Sequence, residues 1–171
     1  YGLSILHTRE YPKANSRDTT AAAAAAEAGI SPLAVDQVAL VIRAFPIRVP
    51  GDSGSLPKET DWEAVAQQGG WPAGSLLERT SATGKVRRVG HFHPDVVIEA
   101  ISVNMPNLVI LNHLDYVDAQ ATSKSYISKK QLDLIGHIES SLDRKIDMVG
   151  TGEGVLLHRD TALGREVSKG A

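Results

Sequence analysis

The sequence predicts an α/β fold, a mixed sheet flanked by helices. Apolar, β-branched runs such as "VALVIRAF", "LVIL" and "KIDMVG" alternate with segments of helical pattern, and those segments carry their own start and stop residues. The chain has 171 residues, 42% hydrophobic and 22% charged, enough to bury one core. No internal repeat or linker divides it. Residues 1–160 therefore read as one structural unit and 161–171 as a mobile tail.

The first helix is "SRDTTAAAAAAEAG". Asp18 or Thr19 can cap it, the alanines from Ala21 to Ala26 propagate it, and Gly29 ends it. An alanine run can also be low-complexity sequence, but stop and start signals at both ends favour a packed helix. "SPLAVD" restarts with Ser31 as cap and Pro32 at the first helical position. "VALVIRAF", Val38 to Phe45, is a buried-strand candidate, and "PIRVPGDSGSLPKE" after it is a long Pro/Gly-rich loop. "TDWEAVAQQGG" is a short amphipathic helix with a Thr60 or Asp61 cap and a Gly70 stop. Two strand-like pieces, "SLLERT" and "RRVGHF", then flank a basic loop. A helix from about Asp95 to Asn104 breaks at Pro106 and yields to the strand "LVIL", ending at Asn112. Ser128 caps a helix from about Lys129 to Leu142. The strand "KIDMVG" and a glycine turn, "GTGEG", follow.

Composition excludes several classes. Lys+Arg 18 against Asp+Glu 20 leaves a net charge of -2, which supplies no general attraction to nucleic acid or to an acidic membrane. The absence of cysteine removes disulfide frameworks and thiolate metal sites and fits a reducing, cytoplasmic setting. No segment approaches the roughly 20 apolar residues of a membrane span. The chain starts at Tyr1 rather than Met, which suggests a fragment or a processed chain.

Three loops carry chemistry. In "NHLD", Asn112 to Asp115, a carboxylate follows an apolar strand, the place where functional groups gather in α/β sheets. Such a carboxylate can accept hydrogen bonds from both N1–H and the 2-amino group of guanine, a pair adenine does not supply. The order is similar to the N-K-x-D signature of GTP-binding proteins, with His113 in place of Lys. An Asp after a strand also serves as a turn former or helix cap. The second loop, "VGTGEGV", either lets its amides approach a nucleotide closely or is simply a turn; it lacks the G-K-[ST] of a Walker loop. The third is "RTSATGKVRRVGHF", where Thr83 and Gly84 offer a hydroxyl and amides and Lys85, Arg87 and Arg88 offer cations. It suits an oxyanion ligand or a solvated basic hairpin. The absence of interleaved aromatics argues against a nucleic-acid patch. His91, His93 and His113 form no complete ligand set, so a structural role outweighs a metal site. Trp62 and Trp71 read as packing residues.

In order and spacing, "YGLSILHTREYPKANSRDTTA", "FPIRVPGDSGSLPKET", "TSATGKVRRVGHFHPDVV", "LVILNHLDYVD" and "VGTGEG" resemble the C-terminal half of adenylosuccinate synthetases. The likeness covers nearly the whole chain and is greatest to the short archaeal and phage-type branch, which includes synthetases of 2-aminoadenylosuccinate. It implies the C-terminal part of a P-loop-related fold, with residues 1–160 as its nucleotide- and aspartate-binding region. The family joins L-aspartate to the 6-position of a purine nucleoside monophosphate, IMP or dGMP, after GTP phosphorylates the 6-oxo group. Purine nucleotide biosynthesis is the setting.

The resemblance assigns roles to residues. Thr83, Gly84, Lys85 and Arg87 match the loop that closes on aspartate and reaches the ribose and the GTP phosphate; Lys85 stands where many members have Arg, and Ala82 replaces a common Thr. Asp115 matches the guanine-reading Asp, beside His113, and Gly150 and Gly152 match a second guanine-side turn. Asn15, Ser16 and Thr19 lie where the family contacts the nucleotide phosphate and base, and Arg48 where it lines ribose and base. The family's phosphate loop, catalytic Asp base, catalytic His and Mg²⁺ ligands belong to an N-terminal half absent from these residues. No catalytic residue and no metal ligand is therefore assigned here, and the chain alone is expected to be inactive. The resemblance further implies a homodimer for the full-length protein. The competing expectation is a non-catalytic GTP- or purine-nucleotide-binding or interaction module derived from the same fold.

Overall fold

The computed structural model describes residues 9–14 and 16–160. The expected tail, 161–171, and the site candidate Asn15 lie outside the described residues. The mixed sheet flanked by helices is present, in two parts. A four-stranded sheet is ordered β1 (Ala39–Arg43), β5 (Leu108–Asn112), β6 (Met148–Gly152), β7 (Val155–His158). β1, β5 and β6 run parallel; β7 returns antiparallel as a hairpin from β6. A second, antiparallel sheet places β4 (Arg88–Gly90) between β2 (Ile47–Arg48) and β3 (Glu59–Thr60).

Among the described residues, four helices complete the frame. The first, α1 (Ala21–Glu27), is capped by Thr20, whose Oγ1 accepts from the Ala23 amide at 3.2 Å. The expected cap at Asp18 or Thr19 is thus one residue off: Asp18 instead receives the Thr20 amide at 2.9 Å, fixing the cap residue itself. This helix buries only Ala25, and its first amide is held by Asn104 Oδ1 at 2.8 Å. Asp61 caps α2 (Trp62–Gly69), and Gly70 stops it in a left-handed conformation with φ 75°. Proline at the first turn starts α3 (Pro94–Asn104). A capping box joining Ser128 and Gln131 starts α4 (Lys129–Leu142). "SPLAVD" makes only a single 3₁₀ turn, Pro32–Ala34, with Ser31 as its cap.

Several expectations need correction. β1 is not a fully buried strand; it lies at the sheet's edge and leaves Val41 55% exposed. The long loop after it contains β2 and β3. "SLLERT" forms no strand beyond one bridge, Arg79 to Val86. Gly150 and Gly152 lie within β6, and the turn itself is Glu153–Gly154, since β7 pairs with β6 across it.

The core centres on β5. Its alternating inward residues, Val109 and Leu111, are fully buried with Val65, Leu114, Ile127, Ile135, Ile138 and Val149. That layer is what holds the end of β5 and the turn after it in place. Among the described residues no helix is long and apolar enough to cross a membrane.

Candidate functional site

β5 ends at Asn112, whose carbonyl accepts from the Ala44 amide at 3.0 Å and closes the β1–β5 ladder. The chain then reverses at His113, in a left-handed conformation with φ 63°, into the 3₁₀ turn Leu114–Tyr116. That turn is fastened from three sides. Leu114 is fully buried, and its carbonyl accepts from Gln131 Nε2 at 2.9 Å. The Asp115 carbonyl accepts from Trp71 Nε1 at 2.9 Å. Gly69 of α2 lies so close to the Tyr116 carbonyl that a Cβ there would overlap it.

The turn opens onto a cleft of about 630 Å³, and His113, Asp115, Gly150 and Gly152 all line it. Four candidates from two separate motifs are thereby brought together at the end of the parallel strands. The rest of the wall includes Val41, Asn112, Tyr116, Glu153 and Leu156. Burial raises the Asp115 carboxyl above the usual aspartate value, and His113 and Arg43 pull it partly back. Burial, with Arg43 nearby, lowers His113, so its imidazole is neutral at neutral pH. A half-buried carboxylate beside a neutral ring is an acceptor-only group suited to two N–H donors on one edge of a base.

The glycines have a packing role in this wall. A Cβ on Gly150 would overlap the Asn112 carboxamide oxygen, and one on Gly152 would stand 2.8 Å from the Ser123 amide nitrogen. Ser123 in turn donates its amide to the Thr151 carbonyl at 2.7 Å, drawing the segment after the turn against β6.

The basic segment is a hairpin. The Thr80 amide donates to Lys85 O, and the Arg87 amide to Glu78 O, both at 2.9 Å. Gly84, with φ 64°, occupies the left-handed position at its tip, and its carbonyl accepts from Arg79 Nη1 at 2.9 Å. Thr83 and Thr80 share a hydroxyl contact of 2.6 Å, and residues 81–86 are exposed. Thr83, Gly84, Lys85 and Arg87 thus sit together on the hairpin and outside the lining of the cleft. Arg88 is committed to the fold: it grips Glu59 with both prongs, at 2.7 and 2.6 Å, and reaches the Gly54 carbonyl at 2.8 Å.

The remaining candidates are elsewhere. Arg48 is buried, donating to the Ser53 carbonyl and lying 3.5 Å from Glu10; it lines a separate, largely apolar cleft of about 260 Å³. Ser16 is half-buried and Thr19 exposed, ahead of α1. His91 packs against Phe45, with ring centroids 5.9 Å apart, and His93 Nδ1 is 3.6 Å from Asp95. Among the described residues no group of three or more His, Cys, Asp or Glu could hold a metal ion.

Sequence reasoning missed the group behind the cleft. The Tyr116 hydroxyl donates to Glu78 Oε1 at 2.9 Å, and Glu78 is ion-paired with Arg43 at the end of β1. Trp62 and Trp71, expected only to pack, each spend the indole N–H on a main-chain carbonyl of this region, Arg87 at 2.7 Å and Asp115 at 2.9 Å. The indole N–H of a buried or half-buried tryptophan needs an acceptor, and that need was the available signal.

Residues 5–130 match the family model described as adenylosuccinate synthetase. The chain belongs to the adenylosuccinate synthetase family. It is 32% identical over 167 residues to the adenylosuccinate synthetase of Pyrococcus sp. (strain ST700), covering 94% of this chain and 47% of that protein. The Methanococcus aeolicus enzyme is 32% identical over 153 residues, 88% of this chain and 43% of that one. The chain thus spans about half the length of the curated relatives it matches. Among solved structures, a cyanophage S-2L succinoaminodeoxyadenylate synthetase bound to dGMP and dATP as an energy donor superposes with a TM-score of 0.66. Its identity is 26%, and the superposition covers 92% of this chain and 43% of that one. The fully ligated adenylosuccinate synthetase of Plasmodium falciparum, at 16% identity, shares the fold: its TM-score is 0.72 over 92% of this chain and 47% of that chain.

Proposed function

We propose that this chain supplies guanine recognition and the substrate-side hairpin of a GTP-dependent ligase that joins L-aspartate to the 6-position of IMP or dGMP. The observation that carries this is the cleft at the end of β5 and β6, where Asp115 and the β6 glycines converge. The Asp115 carboxylate accepts from guanine N1–H and the 2-amino group, and His113 lies beside it as a neutral planar ring. On the hairpin, Lys85 and Arg87 meet the anionic groups of aspartate and nucleotide, with Thr83 and the Gly84 amide as neutral donors. Ser16, Thr19 and Arg48, with Asn15, complete the nucleotide side.

In the whole protein the γ-phosphoryl group passes to the 6-oxo oxygen. The aspartate amine then attacks C6 and phosphate departs. The base, the catalytic His and the Mg²⁺ ligands come from family elements outside these residues, and the assembled enzyme is a homodimer.

A second reading, an adenine-nucleotide donor, is favoured by one observation: the cyanophage neighbour was solved with dATP as its energy donor. Calorimetry of this chain with GTP, dATP, dGMP, IMP and aspartate separates the two. Guanine recognition requires GTP to bind and dATP not to. Binding of dATP in preference to GTP would support the second reading, and binding of neither would defeat both.

A further inference from the structure

Both ends of the basic hairpin are tied to one phenol at the rim of the base cleft. At its entry, the Glu78 carboxylate accepts the Tyr116 hydroxyl at 2.9 Å while its main-chain carbonyl accepts the Arg87 amide at 2.9 Å. At its exit, the Arg87 carbonyl accepts Trp62 Nε1 at 2.7 Å, and the Trp62 ring stands edge-on to Tyr116, with centroids 6.0 Å apart and planes at 82°. On its other side Tyr116 meets His113, with centroids 4.9 Å apart. The Arg43 and Glu78 side chains are only 26% and 18% exposed, so solvent competes weakly for this contact.

We propose that Tyr116 is a positioning residue, which through Glu78 couples occupancy of the base cleft to the geometry of the hairpin carrying Thr83, Gly84 and Lys85. This rests on the proposed function only for what fills the cleft; the mechanical link stands on the contacts themselves. A base seated beside His113 and Tyr116 holds the phenol, the phenol holds Glu78, and Glu78 holds the two arms of the hairpin together at their base. By linkage, a ligand ordering the hairpin tightens the cleft by the same factor.

Amide hydrogen exchange on the 171-residue chain tests this. Without ligand, Tyr116→Phe keeps both ring contacts and deletes only the hydroxyl. It should speed exchange at Thr80, Gly84 and Arg87 by about tenfold while leaving Leu111 in β5 unchanged. Glu78→Ala should do the same, and the double variant should be no faster than either single one. Glu78→Gln, which retains an acceptor for the hydroxyl, should recover part of the protection. With GTP at a saturating concentration for each protein, the hairpin amides of the unaltered chain should slow, and those of Tyr116→Phe should not. Hairpin exchange in Tyr116→Phe equal to that of the unaltered chain would overturn the proposal. So would additive effects in the double variant, or equal GTP-induced slowing in both proteins. Should GTP not bind at all, the assignment of the cleft fails, and the ligand-free comparison still decides the link.

Discussion

Trp71 holds Asp115 by its backbone: the indole N–H donates to the Asp115 carbonyl at 2.9 Å, and Asp115 lines the cleft. The residue after the stop of α2 thereby sets the position of a residue 44 places later. Trp71→Phe keeps most of the packing and orphans that carbonyl. A loss of about 1–3 kcal/mol in urea unfolding is expected, with the midpoint lowered and the slope unchanged.

Gln131 secures the neighbouring carbonyl. It is fully buried, donates to Leu114 O at 2.9 Å, and its Oε1 accepts the Ser128 amide at 2.9 Å as half of the capping box of α4. Gln131→Leu removes both bonds at nearly constant volume. Stability should fall by about 2–3 kcal/mol, and circular dichroism should show fraying at the start of α4.

Asp115 trades stability for an acceptor. Its folded-state pKa is raised above 3.8 by burial, so the folded protein holds this proton more tightly than the unfolded chain does. The cost of ionising it is absent well below 3.8, grows as pH rises through the raised value and is complete above it. Asp115→Asn should therefore melt higher than the unaltered chain at neutral pH, by a few degrees at most because the group is only half-buried. The two melting curves should converge in acid, and a difference independent of pH would contradict the assignment.

The glycines of β6 and the hairpin should respond differently to alanine. At Gly150 a methyl meets the Asn112 side chain, and at Gly152 it meets Ser123; each change should cost about 2 kcal/mol or more in thermal unfolding. Gly84→Ala meets nothing within 4 Å and carries only the roughly 1 kcal/mol of a left-handed φ. Equal costs at all three positions would contradict the packing role given to β6.

Much of this was legible in the sequence because it is local. Asp61 with Gly70, the Pro106 break and the Ser128 cap mark helix ends within a few residues, and the structure places α2, α3 and α4 there. β5 and its end at Asn112 were equally plain. What was illegible depends on distant pairing. β2 and β3 are two residues each and exist only because β4 runs between them. β7 is a strand because β6 is there to receive it. The exposure of Val41 follows from the edge position of β1, which no periodicity shows. At the site, Asp115 and the β6 glycines could be named from their motifs, whereas the Arg43, Glu78 and Tyr116 group joins residues 35 and 38 positions apart.

The most direct measurement is calorimetric comparison of GTP, ATP and xanthosine triphosphate on the unaltered chain and on Asp115→Asn. Guanine offers N1–H and a 2-amino group to a carboxylate, whereas xanthine replaces that amino group with a carbonyl that the new amide can meet. The unaltered chain should bind GTP in preference to the other two, Asp115→Asn should lose about 100-fold for GTP, and its preference should turn to the xanthine nucleotide. Unchanged GTP affinity in Asp115→Asn, or ATP bound as tightly as GTP by the unaltered chain, would contradict guanine recognition by Asp115.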